Sequence, residues 1–299
     1  MRLYVPATTT NFGAGFDVFG LALNLYNIFE VYESDAFSVE IEGEGENLPR
    51  DENNLVIRVY KRTCELFGEK PRAFKLKQKN NVPTARGLGS SATAIVGGVL
   101  IFEQLHKKKL KLEDKLKVAF EFENHPDNLL PALVGGFLVC AQDRELVYSK
   151  LPFPKELSLV FVVPDFELST EKARQVIRKE VSIKDAVFNI QRSSLLVSAL
   201  ITGNYELLKV ATQDRLHQPF RAKLIPGFNE VVKAGYEAGA YGVFLSGAGP
   251  TVCAIASEHK AKPVGESMEK AFKEAGINST TLPLKAEERG AFWHETPHS

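Results

Sequence analysis

Alternating and apolar stretches mark the strands of this chain. Residues 28–33 and 37–42 are rich in β-forming residues, the second with strict two-residue alternation, and both predict half-buried antiparallel strands. Residues 74–79 alternate in the same way. Shorter apolar stretches predict further strands at 137–140, 157–164, 242–245 and 252–256.

Apolar residues at helical spacing fill much of the sequence between these strands. The predicted helices are 54–67, 92–105, 112–123, 171–178, 186–202, 205–211 and 229–238. Helices and strand pairs are interspersed without a regular alternation, which favours an α+β fold over a doubly wound parallel sheet. The polar, proline-containing stretch 143–156 predicts a boundary between two α+β domains, 1–150 and 151–299.

Charge is balanced over the 299 residues, with 37 basic and 37 acidic side chains. No overall field therefore favours nucleic acid or an anionic membrane as a partner, and any anion must be bound locally. Cys64, Cys140 and Cys253 lie far apart in largely apolar stretches, which indicates reduced core thiols and a cytoplasmic protein. No apolar stretch approaches the roughly 18 residues of a membrane-spanning helix, so no membrane partner is expected.

A glycine–serine loop is the most informative segment. Its residues are Pro83, Thr84, Ala85, Arg86, Gly87, Leu88, Gly89, Ser90, Ser91, Ala92 and Thr93. The glycines free successive N–H groups to turn towards one anion, the serines add hydroxyls, and the following helix would direct its positive end at the loop. This combination favours a polyphosphate, although a small-residue turn before a buried helix would have the same composition. The loop lacks the Gly-Lys-Ser/Thr of a Walker A sequence.

Three other segments carry candidate chemistry, each with a purely structural alternative. Residues 6–17 hold Asn11 and Asp17, which suit a polar ligand but would also suit a capped turn. Residues 121–128 bring a carboxylate close to an aspartate and an asparagine, and one carboxylate with one hydroxyl suffices for Mg²⁺. His125 in this segment is more simply structural than a base. The glycine turn 246–250 is either a tight hairpin or a ligand contact.

Two arginines complete the candidates. Arg174 lies just inside a helix that Ser169 or Thr170 could cap, and Arg221 follows the segment 217–220. A planar guanidinium suits a two-point grip on a carboxylate. Composition alone would make either one a solvated surface arginine.

The order of these motifs resembles that of the GHMP small-molecule kinases. The resemblance rests on Pro-x-Thr-x-x-Asn-x-Gly-x-Gly-Phe-Asp, Arg-Gly-Leu-Gly-Ser-Ser-Ala and Leu-Ser-Gly-Ala-Gly-Pro-Thr, which together span residues 6–251. It implies a two-domain α+β fold, with an N-terminal half like domain 2 of ribosomal protein S5 and a ferredoxin-like C-terminal half. Residues 11–17, 125–128 and 221–227 are most similar to the branch that phosphorylates L-homoserine, on the route to threonine.

The resemblance also implies roles for residues. ATP would lie against the loop from Pro83 to Thr93, and Mg²⁺ would be held by Ser91, with Ser90 as the adjacent possibility, and by Glu121. Asp17 would face the ammonium group of the substrate, Arg174 and Arg221 its carboxylate, and Asn11 with Asn128 its hydroxyl. Residues 53–56 are the candidate stretch for adenine contacts. A homodimer is expected from the family.

Asn128 stands where mevalonate-type members have an aspartate, so the resemblance implies catalysis without a dedicated base. An asparagine accepts no proton at neutral pH, and positioning with charge stabilisation would carry the rate. Asp127 would restore base catalysis if its carboxylate faced the cleft. The alternatives are another GHMP kinase, such as a mevalonate-type enzyme, which would not need Asp17, Arg174 and Arg221 together, and a non-catalytic metabolite-binding protein of this fold.

Overall fold

A seven-stranded sheet forms the first half of the molecule in the computed structural model, which describes residues 1–294. Its strands are β1 (Arg2–Thr10), β2 (Phe19–Glu33), β3 (Ser38–Gly43), β4 (Phe74–Asn80), β5 (Phe137–Gln142), β6 (Leu146–Leu151) and β11 (Phe292–His294). The main order is β11-β1-β2-β4-β3, and β5 pairs with the start of β2 and with β6. The strands 28–33 and 37–42 were expected to be antiparallel. Instead β4 lies between them, antiparallel to β2 and parallel to β3, because the helix between β3 and β4 is a crossover connection.

Four helices accompany this sheet. They are α1 (Leu55–Leu66), α2 (Ser90–His106), α3 (Leu112–Phe120) and α4 (Pro126–Val134). Helix α2 is central and is buried continuously from Ala92 to Phe102. It lies so close to α1 that a Cβ at Gly98 would be 2.6 Å from the Val56 carbonyl oxygen. The body of α2 is therefore held firmly in the core, behind its first turn.

The second half is a four-stranded antiparallel sheet with helices. Its strands, in the order β10-β7-β9-β8, are β7 (Leu157–Pro164), β8 (Gly242–Leu245), β9 (Val252–Ser257) and β10 (Ser279–Leu284). The helices are α5 (Thr170–Gln175), α6 (Ile183–Thr202), α7 (Leu208–Ala211), α8 (Gln218–Arg221), α9 (Phe228–Glu237) and α10 (Glu258–Glu274). A hydrophobic cluster that includes Phe12, Phe137 and Phe244 joins the two halves. The α+β fold predicted from the sequence is confirmed.

Two features of the chain path differ from a simple two-part division. Strand β6 lies within the predicted boundary 143–156, so the first sheet continues to Leu151 and the second begins at Leu157. Strand β11 returns to pair with β1, which places the end of the described chain on the first sheet. In residues 1–294, no helix combines the length and apolar character needed to span a membrane.

Candidate active site

The glycine–serine loop ends at the start of α2, as an anion site requires. Gly89 precedes the helix with a φ of +72°, a left-handed conformation that glycine adopts freely, and the helix begins at Ser90. The first N–H groups of a helix have no partner within it, and no acidic side chain lies in the first turn of α2. These donors, with the positive end of a 17-residue helix dipole, have the arrangement that suits a phosphate group.

Contacts from distant segments hold the loop in place. The Thr8 N–H donates to the Leu88 carbonyl at 3.0 Å. The Ser246 hydroxyl donates to the Gly87 carbonyl at 2.7 Å, and a Cβ at Gly87 would lie 2.2 Å from the Ser246 carbonyl oxygen. The turn between β8 and β9 is thus both the predicted hairpin and the support of the phosphate loop.

Arg86 fastens the loop to the second half of the chain. Its guanidinium donates to the carbonyl of Thr84 at 2.9 Å and, across the cleft, to the carbonyls of Pro164 at 3.0 Å and Asp165 at 3.3 Å. These bonds use the side chain for structure, and the carboxylates of Glu44 and Glu167 lie 3.6 and 3.9 Å from its Nη1 atom.

The structure brings seven of the eleven predicted loop residues to the walls of the cleft, and Thr84 lines an adjoining cavity. The seven are Ala85, Arg86, Gly87, Leu88, Gly89, Ser90 and Ser91. Pro83, Ala92 and Thr93 are buried beneath them. The Thr93 hydroxyl donates to the Ser90 carbonyl at 2.7 Å and accepts from Asn27 at 2.8 Å, so it supports the first turn from behind.

Asp17 and Arg174, predicted to contact opposite ends of a substrate, form an ion pair with each other. The Arg174 Nη1 and Nη2 atoms donate to the two carboxylate oxygens of Asp17 at 3.1 and 2.6 Å. Both side chains are about one-third exposed, and the Nε atom of Arg174 is buried without a hydrogen-bond partner in the described chain. The pair lines the cleft beside the phosphate loop.

Arg221 is almost fully buried, with 1% of its surface exposed. It donates through Nε to the Ala173 carbonyl at 3.1 Å and through Nη1 to the Gly247 carbonyl at 3.0 Å. Burial and the nearby Arg174 guanidinium lower the pKa of Arg221 to about 10, so it stays charged at neutral pH. Arg174 and Arg221 thus lie close together on one side of the cleft, where two guanidinium groups favour a carboxylate ligand.

Asn11 supports the wall of the cleft through hydrogen bonds of its side chain. Its Nδ2 donates to the Gly247 carbonyl at 3.1 Å and its Oδ1 accepts from the Asp17 N–H at 3.0 Å. Asn11 and Asp17 both have positive φ angles, 74° and 57°, which asparagine and aspartate tolerate better than most residues. The amide of Asn11 therefore shapes the turn that presents Asp17.

Asn128 lies on the first turn of α4 and faces the cleft. Its Oδ1 accepts a hydrogen bond of 2.8 Å from the Thr8 hydroxyl, which leaves the Nδ2 donor free for a ligand. Thr8 is fully buried and also supports the phosphate loop through Leu88 and Gly89. Thr8 is the threonine of the first motif, but sequence reasoning assigned it no role, because its partners lie far away in the sequence.

Two carboxyl groups complete the site. Asp127 is 2% exposed, and its Oδ1 has no hydrogen-bond partner in residues 1–294. Burial, then the Asp17 and Glu123 charges, raise the pKa of Asp127 to about 7. Burial likewise raises the pKa of Glu123 to about 7, against the opposing effect of the Ser91 hydroxyl. The pKa of His125 is lowered by burial and by Arg174, so its imidazole is neutral at pH 7.

The predicted metal ligand Glu121 is not in this site. Helix α3 ends at Phe120 rather than at 123, and the chain then turns so that Glu121 binds Arg62 through hydrogen bonds of 2.6 and 3.1 Å. Glu123, two residues on, lies in the cleft with Ser91 instead. Glu121, which the family resemblance suggested as a metal ligand, instead lines a neighbouring pocket that it shares with Ser91 and Glu123.

A larger cavity opens on the other side of the phosphate loop. It shares Ala85, Arg86, Ser90 and Ser91 with the cleft and extends to the segment 44–49. Asn53, Asn54 and Leu55 also line this cavity, as expected of the candidate adenine stretch. The Asn54 side chain caps α1 by accepting from the Val56 N–H at 3.0 Å. The phosphate loop thus separates two connected compartments, one small and highly charged and one larger.

Comparison with known proteins defines the class. Residues 54–136 match the family model described as GHMP kinases N terminal domain, and residues 196–274 match the one described as GHMP kinases C terminal. The chain belongs to the GHMP kinase family, and the resemblance seen in its motifs is confirmed.

Individual relatives show which members of the family this chain is similar to. The chain is 53% identical to the homoserine kinase of Aquifex aeolicus over 97% of this chain and 98% of that protein. It is 49% identical to the homoserine kinase of Persephonella marina over 97% of each. Among solved structures, homoserine kinase from Cytophaga hutchinsonii superposes with a TM-score of 0.87 at 32% identity, covering 98% of this chain and 96% of that one. A mevalonate kinase from L. major shares the fold, with a TM-score of 0.74 at 15% identity over 96% of this chain and 95% of that one.

Proposed function

We propose that this protein transfers the γ-phosphoryl group of ATP to the side-chain hydroxyl of L-homoserine, giving O-phospho-L-homoserine and ADP. The single observation that carries the proposal is that the phosphate loop borders a cleft lined by both carboxylates and guanidinium groups, as the binding of a zwitterion requires. The relatives named homoserine kinase agree with this substrate. The three buried, free cysteines fit a reducing compartment, and we place the reaction in the cytoplasm.

The pocket suits an α-amino acid. The Asp17–Arg174 ion pair can open to take a zwitterion between its members, with the substrate carboxylate on Arg174 and Arg221. The ammonium group would then face Asp17 and the unpartnered Oδ1 of Asp127. An ammonium group beside Asp127 would lower the pKa of that carboxyl and so offset the cost of burying its charge. A substrate without the ammonium, such as mevalonate, would leave both carboxylates uncompensated.

The hydroxyl would be positioned by Asn128. Because the Thr8 hydroxyl occupies Oδ1, Asn128 presents its Nδ2 as a donor, and a donor can only meet the oxygen of the hydroxyl. The hydroxyl proton then points away from Asn128 and can leave to a phosphate oxygen, as a loose phosphoryl-transfer transition state allows. Catalysis in this proposal comes from alignment and from the loop N–H groups that bind the phosphates.

Mg²⁺ fits the donor set of the cleft. Glu123 and Ser91 offer one carboxylate and one hydroxyl, both hard oxygen donors, next to the phosphate loop. Burial raises the pKa of Glu123 despite the Ser91 hydroxyl and Arg174, and a divalent ion beside it would favour its ionised form. We therefore propose Glu123 in place of Glu121, with Ser91, as the metal-binding pair. The ion would neutralise charge on the ATP phosphates.

ADP release by the purified protein, measured with L-homoserine, D-homoserine and mevalonate, tests the proposed function. We expect kcat/KM for L-homoserine to exceed that for either alternative by at least about 100-fold, because a mismatched substrate leaves buried charges unpaired. Comparable activity on mevalonate would overturn the substrate. No ADP release with any of the three would favour a metabolite-binding role without catalysis.

A further inference from the structure

His217 is a buried histidine that lies behind the charged walls of the cleft. It immediately precedes α8, four residues before Arg221, and none of its surface is exposed. Its ring stacks on that of Phe16, with the two centroids 4.9 Å apart. Because polar atoms buried to this degree are nearly always hydrogen-bonded, the partners of the two ring nitrogens define what the side chain does.

These partners fix the tautomer of the ring. Nε2 lies 2.8 Å from the Gly13 carbonyl oxygen and 3.6 Å from a carboxylate oxygen of Asp214, and both are acceptors, so Nε2 carries the proton. Nδ1 is then a bare acceptor, and it lies 3.2 Å from Nη1 of Arg221, which can only donate. Burial lowers the pKa of His217, and Arg221 adds to this against the opposing effect of Asp214, so the ring is neutral at pH 7.

The bare nitrogen of His217 completes the hydrogen bonds that hold Arg221 from behind. A guanidinium group has five N–H donors. In Arg221, Nε donates to the Ala173 carbonyl, and Nη1 donates both to the Gly247 carbonyl and to His217. Within residues 1–294, Nη2 makes no hydrogen bond, and Arg221 lines the cleft. Three bonds therefore fix the guanidinium group and leave the two donors of one nitrogen for a ligand.

His217 also connects Arg221 to the turn that carries Asp17. Gly13, which accepts from Nε2, belongs to that turn, and Phe16 immediately precedes Asp17. The guanidinium carbon of Arg221 lies 5.2 Å from the centroid of the Phe16 ring, on which the imidazole also stacks. One buried ring thus joins a cationic group of the cleft to the segment that bears an anionic one. An α-amino acid carries its two charges on a single carbon, so its binding requires a fixed distance between them.

We propose that His217 is a positioning residue for the substrate carboxylate, which acts by holding the Arg221 guanidinium so that Nη2 faces the carboxylate of an α-amino acid. This role rests on the proposed function, because it takes Arg221 as a carboxylate partner of L-homoserine. His217 itself is not among the described residues that line the cleft. Its replacement should therefore raise KM for L-homoserine and leave kcat and the KM for ATP nearly unchanged.

Two amides at position 217 separate the two hydrogen bonds of the ring. In asparagine Oδ1 is bonded to Cγ, as Nδ1 is in histidine, so His217→Asn keeps an acceptor for Arg221 and loses the donor to Gly13. In glutamine the amide lies one bond further out, as Nε2 does, so His217→Gln keeps the donor and loses the acceptor. Each variant loses one buried hydrogen bond and the stacking on Phe16. Their losses of stability should be similar, which makes each the control for the other.

Steady-state kinetics of the two variants at neutral pH test the role. We expect His217→Gln to raise KM for L-homoserine about 10-fold or more, the effect of one hydrogen bond to a charged group, and His217→Asn to raise it by no more than about 3-fold. Equal effects of the two variants would show that the ring serves packing alone. A KM of His217→Gln within about 2-fold of the wild-type value would also overturn the proposal.

A double-mutant cycle shows whether His217 acts through Arg221. In an Arg221→Ala background, His217→Gln has no guanidinium group to release, so it should cause no further loss of kcat/KM for L-homoserine. A loss as large as in the wild-type background would assign His217 a role independent of Arg221. If Arg221→Ala does not fold, the comparison of the two amides decides the question by itself.

Nitrogen NMR spectra of the histidine rings test the geometry without any substrate. In protein with isotope-labelled histidine, the ring signals of His217 are those missing from His217→Gln. They should show a neutral ring with its proton on Nε2 at pH 7. A proton on Nδ1, or a charged ring, would overturn the proposal whichever substrate the protein uses. Failure of the wild type to phosphorylate L-homoserine would refute the proposed function instead, so the two failures are distinguishable.

Discussion

Replacing Asp127 by asparagine tests whether the cleft holds a carboxylate at a cost to stability. The side chain is 2% exposed and its Oδ1 has no partner in the described chain. Its pKa is raised from 3.8 to about 7, first by burial and then by the charges of Asp17 and Glu123. In the folded protein the carboxyl group therefore holds its proton up to a higher pH than in the unfolded chain.

The sign and size of the effect on stability follow from this difference in the pKa of Asp127 between the folded and unfolded states. Between pH 4 and 7 the native state carries more protons than the unfolded state, so the wild-type free energy of unfolding falls as the pH rises through this window and is level above it. At 1.36 kcal/mol for each pKa unit, the interval from 3.8 to about 7 corresponds to about 4 kcal/mol. A buried asparagine amide without a full set of partners costs about 1–3 kcal/mol. At pH 8 the free energy of unfolding of Asp127→Asn should thus exceed that of the wild type by about 1–3 kcal/mol.

Urea unfolding at pH 5 and pH 8 without ligands measures the difference in free energy of unfolding between Asp127→Asn and the wild type. We expect Asp127→Asn to be more stable than the wild type at pH 8, with most of its advantage lost at pH 5. Asp143→Asn, at an exposed turn between β5 and β6, is the control for loss of an aspartate charge and should match the wild type at both pH values. If Asp127→Asn is less stable than the wild type at pH 8, the carboxylate is compensated in the native state and the reasoning fails.

Other variants separate the roles within the cleft. Arg174→Ala should raise KM for homoserine at least about 10-fold with little change in KM for ATP, and an effect confined to ATP would refute its role. Glu123→Gln should lower activity and raise the Mg²⁺ concentration needed for half-maximal activity, whereas Glu121→Gln should leave that concentration unchanged. The reverse result would identify Glu121 as the metal ligand. Thr8→Val removes the bond that orients Asn128 and should lower kcat roughly 10-fold; an unchanged kcat would contradict that role. Asp127→Asn should lower kcat only a few-fold, since a loss of roughly 10²–10⁴ would assign general-base catalysis to this residue.

Local sequence patterns predicted much of the fold because they reflect interactions between residues that are near one another in the chain. Helix α1 and strand β7 match their predicted spans closely, since apolar periodicity and flanking turns fix such elements. The partner of a strand is decided by packing and connections that lie elsewhere in the sequence. That is why β3 was expected to be antiparallel but pairs in parallel with β4, although its alternation was recognised.

The same limit applies to the metal ligand, which the family resemblance assigned to Glu121. Glu121 and Glu123 are chemically identical and two positions apart, so their roles depend on the conformation of the chain between them. If α3 had continued, the two carboxylates would have pointed to different sides of one helix. Because α3 ends at Phe120, the side that receives Glu121 is the one with Arg62. A helix boundary shifted by three residues is enough to change which of the two carboxylates lines the cleft.

The cleft is best understood as an arrangement that is completed by its ligands. Burial places like charges near one another, Arg174 beside Arg221 and Asp127 beside Glu123, and leaves the Oδ1 of Asp127 and the Nε of Arg174 without partners. Each of these features costs stability in the free protein. A zwitterion supplies both a carboxylate for the arginines and an ammonium for the aspartates, so one ligand relieves both sets of repulsions. A ligand with one of the two groups relieves half of them, and the pocket would therefore select amino acids before any contact with the reacting hydroxyl.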